Sequence, residues 1–258
     1  MRLRGWHGAV VLAVAVATAI ALIAVGRHPG DPLPREAAPV ATPSASPAPT
    51  VRVEPEPEPS PTPSPDPAAA ADARAGVLGT DVAAAGDGTF VVADGEQPAP
   101  GAGRAVLVRV EVESGLPVDV DAFASFVMAT LNDERGWPAV DDVSFARTTG
   151  EAEIRVVLAT GATVDALCAP LPTVGVYSCG RNGHAALNAE RFVLGTSPFV
   201  DAGGTVEGYR EYLVNHEVGH LLGHQHEACP APGAVAPVMV QQSIDVGGCV
   251  PNGWPAAG

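Results

Sequence analysis

Four of the seven histidines in this 258-residue chain lie in one short segment, HEVGHLLGHQH at 216–226. His216 and His220 are one helical turn apart, so a helix would place both imidazoles on one face, where they can bind a single metal ion. Glu217 would lie about 100° around that helix, beside the ion and outside its set of ligands. We therefore predict that Glu217 accepts the proton of an attacking water molecule.

The third ligand determines where this helix must end. In a straight helix His216 and His224 would be about 12 Å apart along the axis, too far to share one ion. Gly223 can adopt the left-handed conformation that ends helices, after which the chain can return His226 to the ion. We therefore predict His216, His220 and His226 as ligands, with His224 as a neighbour that does not bind.

Three imidazole ligands with a fourth position open are typical of a catalytic zinc site. A zinc ion held in this way lowers the pKa of a coordinated water molecule towards about 7. The predicted cofactor is therefore one catalytic Zn²⁺, although the same ligands would also accept other divalent ions.

The charge of the chain restricts its partners. Residues 77–258 contain eight arginines against 22 aspartates and glutamates, and the chain has no lysine. Nucleic-acid backbones and anionic membrane surfaces would repel such a domain, so neither is a predicted partner of the domain itself. The predicted partner is a protein or peptide substrate, and we expect the domain to be a monomer.

The N-terminal residues predict export with attachment to a membrane. Residues 1–8 carry two arginines and are predicted to stay in the cytoplasm, while the apolar run at 9–26 would span about 27 Å as a helix. We predict a single-pass signal anchor with the domain outside the cytoplasm. Cleavage at Ala19-Ile20-Ala21 is the alternative, and it would release a secreted protein.

Proline separates this anchor from the domain. The run EPEPEPSPTPSPDP lies at 54–67, and residues 27–76 are predicted to form an extended polyproline linker. The domain is predicted at 77–258.

Four cysteines in a chain predicted to be exported indicate two disulfides. The sequence permits three pairings. We predict Cys168–Cys179 and Cys229–Cys249, because these pairs close two short loops. The second would attach the segment around Met239 to the end of the histidine-bearing helix, with a contribution of about 3 kcal/mol.

Alternating apolar residues and helical periodicity predict an α/β or α+β domain. Helices are predicted at 119–134, capped by Asp119 or Asp121, and at 206–223. Predicted strands lie at 104–113, 142–148, 153–160, 173–179 and 184–193.

Several other polar residues are not predicted to catalyse. Asp141 and Asp142 are adjacent carboxylates, and successive positions on a strand face opposite sides, so they are not predicted to form an acid–base pair. Tyr209, Arg210 and Tyr212 on the second helix are predicted to pack or cap.

The pattern HExxHxxGxxH at 216–226 resembles the metzincin clan of zinc peptidases, in which a methionine-bearing turn follows. Met239 in APVMVQQ fits that turn, which in the family lies beneath the metal. YSCGRNGHAALNAERFV, YREYLVNHEVGHLLGHQHEACPAPG and GGCVPNGWP are similar to an uncharacterised actinobacterial family of secreted or membrane-anchored metzincin-like domains. This resemblance covers essentially residues 77–258.

The resemblance implies a zincin domain with a twisted, mostly parallel sheet packed on two main helices and an irregular, disulfide-stapled C-terminal part. An antiparallel edge strand would line the cleft and bind an extended peptide by strand addition. Glu217 would be the general base and would then protonate the leaving amine. Several metzincins have a tyrosine after the methionine turn, but none follows Tyr212 here, so Gln241, Gln242 or a backbone N–H would have to replace it.

These features predict a membrane-tethered, extracytoplasmic zinc endopeptidase. One alternative is a zinc-stabilised binding module of the cell envelope that cleaves weakly or not at all. Another is a hydrolase of non-peptide amides, for instance in cell-wall peptide stems. Glu217 favours an enzyme, because inactive relatives of enzymes often lose this residue, whereas the missing tyrosine favours the binding module.

Overall fold

The computed structural model describes residues 66–257. The predicted cytoplasmic segment at 1–8, the anchor at 9–26 and most of the linker at 27–76 lie outside these residues. Within the described part of the chain, no helix is long and apolar enough to cross a membrane.

The described residues contain six strands and six α-helices, with short 3-10 helices at Trp137–Ala139 and Pro255–Ala257. In chain order the elements are α1 (Pro67–Arg74), β1 (Phe90–Val92), β2 (Arg104–Glu113), α2 (Val120–Leu131), β3 (Val143–Arg147), β4 (Ile154–Ala159), α3 (Gly161–Cys168), β5 (Cys179–Arg181), β6 (His184–Asn188), α4 (Ala189–Leu194), α5 (Ser197–Val200) and α6 (Val206–Leu222).

All six strands belong to one sheet with the order β1-β2-β4-β6-β5, and β3 pairs with the first half of β2. β2 is parallel to both β3 and β4, and β4 is parallel to β6. β1 and β5 are antiparallel to β2 and β6, and β5 forms one edge of the sheet. The prediction of a mixed α/β domain with a mostly parallel sheet is therefore confirmed.

The main core lies between one face of the sheet and the two long helices α2 and α6. Every second residue of β2 from Val106 to Val112 is buried here, together with Phe123 of α2 and Leu213 of α6. A smaller apolar cluster on α3 includes Val157 of β4. The two clusters cover the sheet on both faces, as mostly parallel sheets require.

Both predicted disulfides are present. Cys168–Cys179 joins the end of α3 to the edge strand β5. Cys229–Cys249 closes a loop with a sequence separation of 20 residues, and it joins the chain just after α6 to the C-terminal segment. Between Leu222 and Pro255 the described chain contains no helix and no paired strand longer than an isolated bridge, so this disulfide stabilises an irregular region.

The predicted strand at 173–179 is wrong except for its last residue. The side chain of Asp165 on α3 accepts hydrogen bonds from the Thr173 hydroxyl and from the Gly175 N–H, and Val174 has φ 51°. These contacts hold the segment as a loop before β5, although its valines alternate with other residues.

The predicted strand at 184–193 is also too long. β6 ends at Asn188, whose side chain accepts a hydrogen bond from the Arg191 N–H and caps α4.

α2 begins at its predicted cap, Asp119, but ends at Leu131, because Asn132 turns its amide towards Met128 and Phe145. The helices α1, α3, α4 and α5 were not predicted.

The C-terminal boundary of the predicted linker needs correction. Asp66 caps α1, and Ala71 and Ala75 are buried, so residues 66–76 belong to the domain. The guanidinium of Arg210, which is only 1% exposed, donates a hydrogen bond of 2.7 Å to Asp72. Composition did not separate this helix from the preceding proline-rich run, because its packing on α2 and its ion pairs with α6 hold it in place.

We expect a chain that begins at residue 77 to unfold at a lower temperature than one that begins at residue 66. Without Asp72 the buried Arg210 charge keeps no carboxylate partner among the described residues. Because Asp72 is partly exposed, this loss costs less than the loss of a fully buried partner, on the order of 2–3 kcal/mol. The melting temperature should fall by about 5–10 °C. Circular dichroism of both chains tests this, with Asp72→Ala in the longer chain as the single-residue counterpart. Equal melting temperatures would contradict the assignment of α1 to the domain.

Candidate metal centre

α6 presents two of the three predicted ligands. The Thr205 side chain caps the helix by accepting a hydrogen bond from the Gly208 N–H at 3.0 Å. His216 and His220 follow one turn apart, with ring centroids 4.9 Å from each other. His216 is buried and His220 is half-buried, so both rings lie where the helix meets the rest of the domain.

The end of α6 brings the third histidine back to the first two. Gly223 has φ 107°, a left-handed conformation that favours glycine, and the His224 N–H bonds to the Gly219 carbonyl at 3.0 Å. After this turn the His226 ring lies 5.3 Å from that of His216 and 4.7 Å from that of His220. The candidate ligand atoms of the three histidines all lie within 4.8 Å of one another.

Backbone carbonyl groups orient the two helical imidazoles. Nδ1 of His216 donates to the Val238 oxygen at 2.9 Å, and Nδ1 of His220 donates to the His224 oxygen at 3.0 Å. A carbonyl oxygen can only accept, so Nδ1 carries the hydrogen and Nε2 keeps its lone pair for a metal.

The protonation state of the three imidazoles also suits a metal. Burial lowers the pKa of all three rings, and it lowers that of His216 to about 3. The rings are therefore neutral near pH 7, the form that binds a metal. Nε2 of His220 and Nε2 of His226 are 3.0 Å apart, comparable to the about 3.4 Å between two nitrogen ligands of a tetrahedral zinc. This donor set fits a zinc ion.

Glu217 lies beside the three imidazoles and is 5% exposed. Burial raises the pKa of its carboxyl group to about 8. A nearby divalent cation would favour the charged carboxylate and lower this pKa again. The side chain can therefore exchange a proton near neutral pH.

Met239 lies against the histidine-bearing helix in the turn Pro237–Val240. It is 1% exposed, and a Cβ atom placed on Gly219 would be 2.7 Å from its sulfur and 2.5 Å from Cζ2 of Trp137. The absence of a side chain at Gly219 therefore allows both residues to contact α6. The same turn supplies the Val238 oxygen that holds His216.

His224 is adjacent to the three histidines, but its ring faces other partners. Its Nε2 is 2.7 Å from Oδ2 of Asp141, and its ring stacks on Trp137 with centroids 4.3 Å apart. The sequence did not indicate that Asp141 and Trp137 contact His224. Asp141 and His224 are separated by 83 positions, and no local spacing relates them.

The three ligands and Glu217 form part of the lining of a cleft of about 480 Å³. β5 and the loop at 171–178 line the cleft on one side, and Gln241, Ser243 and Ile244 line it beyond Met239. Gln242 is not available to the cleft, because it is buried and its amide bonds to the backbone of Asn252.

The aromatic residues predicted to pack on α6 are buried. Tyr212 donates a hydrogen bond to the Val240 oxygen at 3.1 Å, and the Tyr209 hydroxyl bonds to Ser243 at 2.8 Å. Both tyrosines thus attach α6 to the segment that follows Met239.

Comparison with known proteins gives one family. A profile described as a protein of unknown function (DUF3152) matches residues 77–249, which is more than half of the chain. No curated protein matches the chain, and no solved structure does.

We expect Gly219→Ala to destabilise the protein, although alanine normally stabilises a helix interior by up to about 1 kcal/mol relative to glycine. The new methyl group would overlap Trp137 and Met239, and overpacking of this kind costs about 1–3 kcal/mol. Thermal unfolding measures the effect. A rise in melting temperature would contradict the close packing of Met239 on α6.

We expect Glu217→Gln to stabilise the metal-free protein more at pH 8 than at pH 5. The folded-state pKa of Glu217 is raised to about 8, so the folded wild type binds the proton more tightly and loses stability as pH rises from its unfolded-state pKa of about 4.5. Glutamine has no such charge to bury. Melting temperatures of both proteins in a chelator, across pH 5–8, test the sign, and a difference that does not grow with pH would contradict it.

Proposed function

We propose that this chain, which belongs to the DUF3152 family of unknown function, is a zinc-dependent peptidase of the metzincin type. The observation that carries the proposal is the convergence of three neutral imidazoles next to the buried carboxyl group of Glu217, at the wall of an open cleft. A structural zinc site would have four protein ligands, whereas three ligands leave a position open for chemistry.

The proposed metal ligands are His216, His220 and His226. When bound, zinc would supply a Lewis acid that polarises a substrate carbonyl and lowers the pKa of a coordinated water molecule. The hydrogen bonds to the Val238 and His224 oxygens would keep the Nε2 atoms of His216 and His220 aimed at the same point.

Glu217 is the proposed general base and general acid. Its carboxylate would accept the proton of the attacking water molecule and return it to the leaving amine. A carboxyl group whose pKa lies near the working pH can do both. Its burial also keeps bulk water from competing for that proton.

The cleft supports an extended peptide as the substrate. In the described residues β5 pairs with β6 only, so its other edge offers backbone groups to which a peptide can add as a strand. Leu171 and Ile244 line the cleft and are 45% and 48% exposed, and Tyr177 lines it as well. We propose that these residues contact an apolar side chain near the scissile bond.

Gln241 is the proposed donor to the negative charge that develops on the carbonyl oxygen. It lines the cleft, whereas Gln242 is committed to Asn252. The Tyr212 hydroxyl is likewise committed, to the Val240 oxygen. A side-chain amide can stabilise an oxyanion in the way that a tyrosine does.

The proposed location is outside the cytoplasm, with the domain held at the membrane by residues 9–26. Two disulfides support an oxidising compartment.

The second candidate function is a zinc-stabilised binding module of the cell envelope, favoured by the lack of a tyrosine after Met239.

The proposal predicts that Glu217→Ala keeps the metal but loses catalysis. Wild type and variant should each bind about one zinc ion per chain, because the carboxylate is not a ligand. Cleavage of a mixed peptide library, followed by mass spectrometry, should fall at least about 100-fold in the variant. Glu227→Ala removes an exposed glutamate beside His226 and serves as the matched control, with little change expected.

Other outcomes would select a different function. If wild type and Glu217→Ala both bind zinc and neither cleaves peptides, the binding module is the better reading. Cleavage of cell-wall fragments without cleavage of peptides would indicate an amidase. A wild-type protein that binds no metal would overturn the metal centre itself.

A further inference from the structure

A clamp made of Trp137, Asp141 and His224 lies against the metal centre, and the proposed function does not use it. We infer that this clamp positions His220, and that it thereby sets how tightly the chain holds its metal. The inference rests on the metal centre proposed above, and it assigns His224 and Asp141 as positioning residues.

The link between the clamp and the metal centre is the main-chain oxygen of His224. This oxygen accepts the hydrogen bond from Nδ1 of His220 at 3.0 Å. An imidazole can rotate about its bond to Cβ, and the hydrogen bond to the His224 oxygen fixes both the rotation and the tautomer of His220. The Nε2 atom of His220 therefore points at His226 only while the His224 oxygen stays in place.

The position of this oxygen depends on the His224 side chain. Residue 224 follows Gly223, where the helix has ended. Apart from the bond that its oxygen accepts from His220, its backbone is attached to α6 by one hydrogen bond, from its N–H to the Gly219 oxygen. The ring supplies two further contacts, the 2.7 Å bond to Asp141 and the stacking on Trp137 with an interplanar angle of 28°. By contrast, the side chains of Gln225 and His226 are in the exposed part of this loop.

The other half of the clamp is itself anchored to α6. Trp137 is 2% exposed, and its Nε1 donates to the Asn215 oxygen at 3.0 Å. The Asp141 N–H bonds to the Trp137 oxygen at 2.8 Å, which places the carboxylate over the end of the helix. The clamp therefore connects Asn215, the residue before the ligand His216, to the loop that follows the ligand His220.

The clamp acts on only one of the ligands carried by α6. His216 bonds instead to the Val238 oxygen, which belongs to the turn that contains Met239. Loss of the clamp should therefore weaken metal binding without abolishing it. Removal of the hydrogen-bond partner of a metal ligand typically costs about 10–100-fold in affinity, and we expect a similar loss here because losing the clamp displaces that partner, the His224 oxygen.

The test compares His224→Ala and Asp141→Ala with Asp142→Ala in the full-length chain. Asp142 is the next residue and is exposed, and the carboxylate that bonds to His224 is that of Asp141, so Asp142 is a matched control. Zinc affinity is measured by competition with a chelator, and the visible spectrum of the Co²⁺-loaded protein reports on ligand geometry. We expect a rise in the zinc Kd of about 10–100-fold in the first two variants and of less than about twofold in the control.

The double variant His224→Ala/Asp141→Ala distinguishes a specific effect on the metal site from a general loss of stability. Because Asp141 acts on the loop only through its bond to His224, the Kd of the double variant should be within about twofold of that of the worse single variant. The Co²⁺ spectra of the two single variants should change in the same way, while that of Asp142→Ala stays like wild type. If His224→Ala fails to fold, Asp141→Ala at its partly exposed position gives the same comparison.

The outcomes separate the inference from the proposed function. A wild type that binds zinc with the same affinity as His224→Ala and Asp141→Ala overturns the inference and leaves the metal centre intact. Additive effects of the two substitutions would also overturn it. A wild type that binds no zinc overturns the proposed function, and the inference with it.

Discussion

The candidate metal centre depends on two hydrogen bonds from imidazole to backbone, one at the Val238 oxygen and one at the His224 oxygen. Each oxygen belongs to a segment without regular secondary structure, and that segment must keep its position for the imidazoles to converge. The turn at Gly223 and the contact with Asp141 hold one oxygen. The Cys229–Cys249 disulfide, together with the bond from the Glu227 N–H to the Met239 oxygen, holds the other. The regular sheet and helices supply the base to which these irregular segments attach.

The three buried glutamates of the described chain differ in a way that distinguishes Glu217. Burial acts to raise the pKa of Glu111, but Arg155 and Arg109 outweigh it and lower the pKa. Burial also acts to raise the pKa of Glu113, and its hydrogen bonds, the strongest from the Thr163 hydroxyl, lower it overall. Glu217 has no such compensation, so its pKa is raised. A buried acid left uncompensated in a cleft is typical of a functional group rather than a structural one.

Short-range patterns in the sequence were enough for much of the candidate site. The spacing of His216, His220 and His226, and the two disulfide loops, are relations between residues at most 20 positions apart. The valines before β5 show where such patterns fail, because hydrogen bonds to Asp165 hold them as a loop. α1 is held by packing on α2 and by ion pairs with α6, and composition cannot show those contacts. Trp137 and Asp141 meet His224 only in the folded chain, so no spacing could identify them.

The order of these residues along the chain has a consequence for synthesis. Val238 lies 22 positions after His216 and follows all three histidines. A growing chain that already carries HEVGHLLGHQH therefore still lacks the carbonyl that orients its first imidazole, and it also lacks Cys249. On the proposed metal centre, we therefore expect nascent chains to bind zinc poorly. On the proposed function, proteolytic activity would be delayed until translation has passed this point and oxidation has closed the second disulfide. This delay would protect the cell that makes the protein.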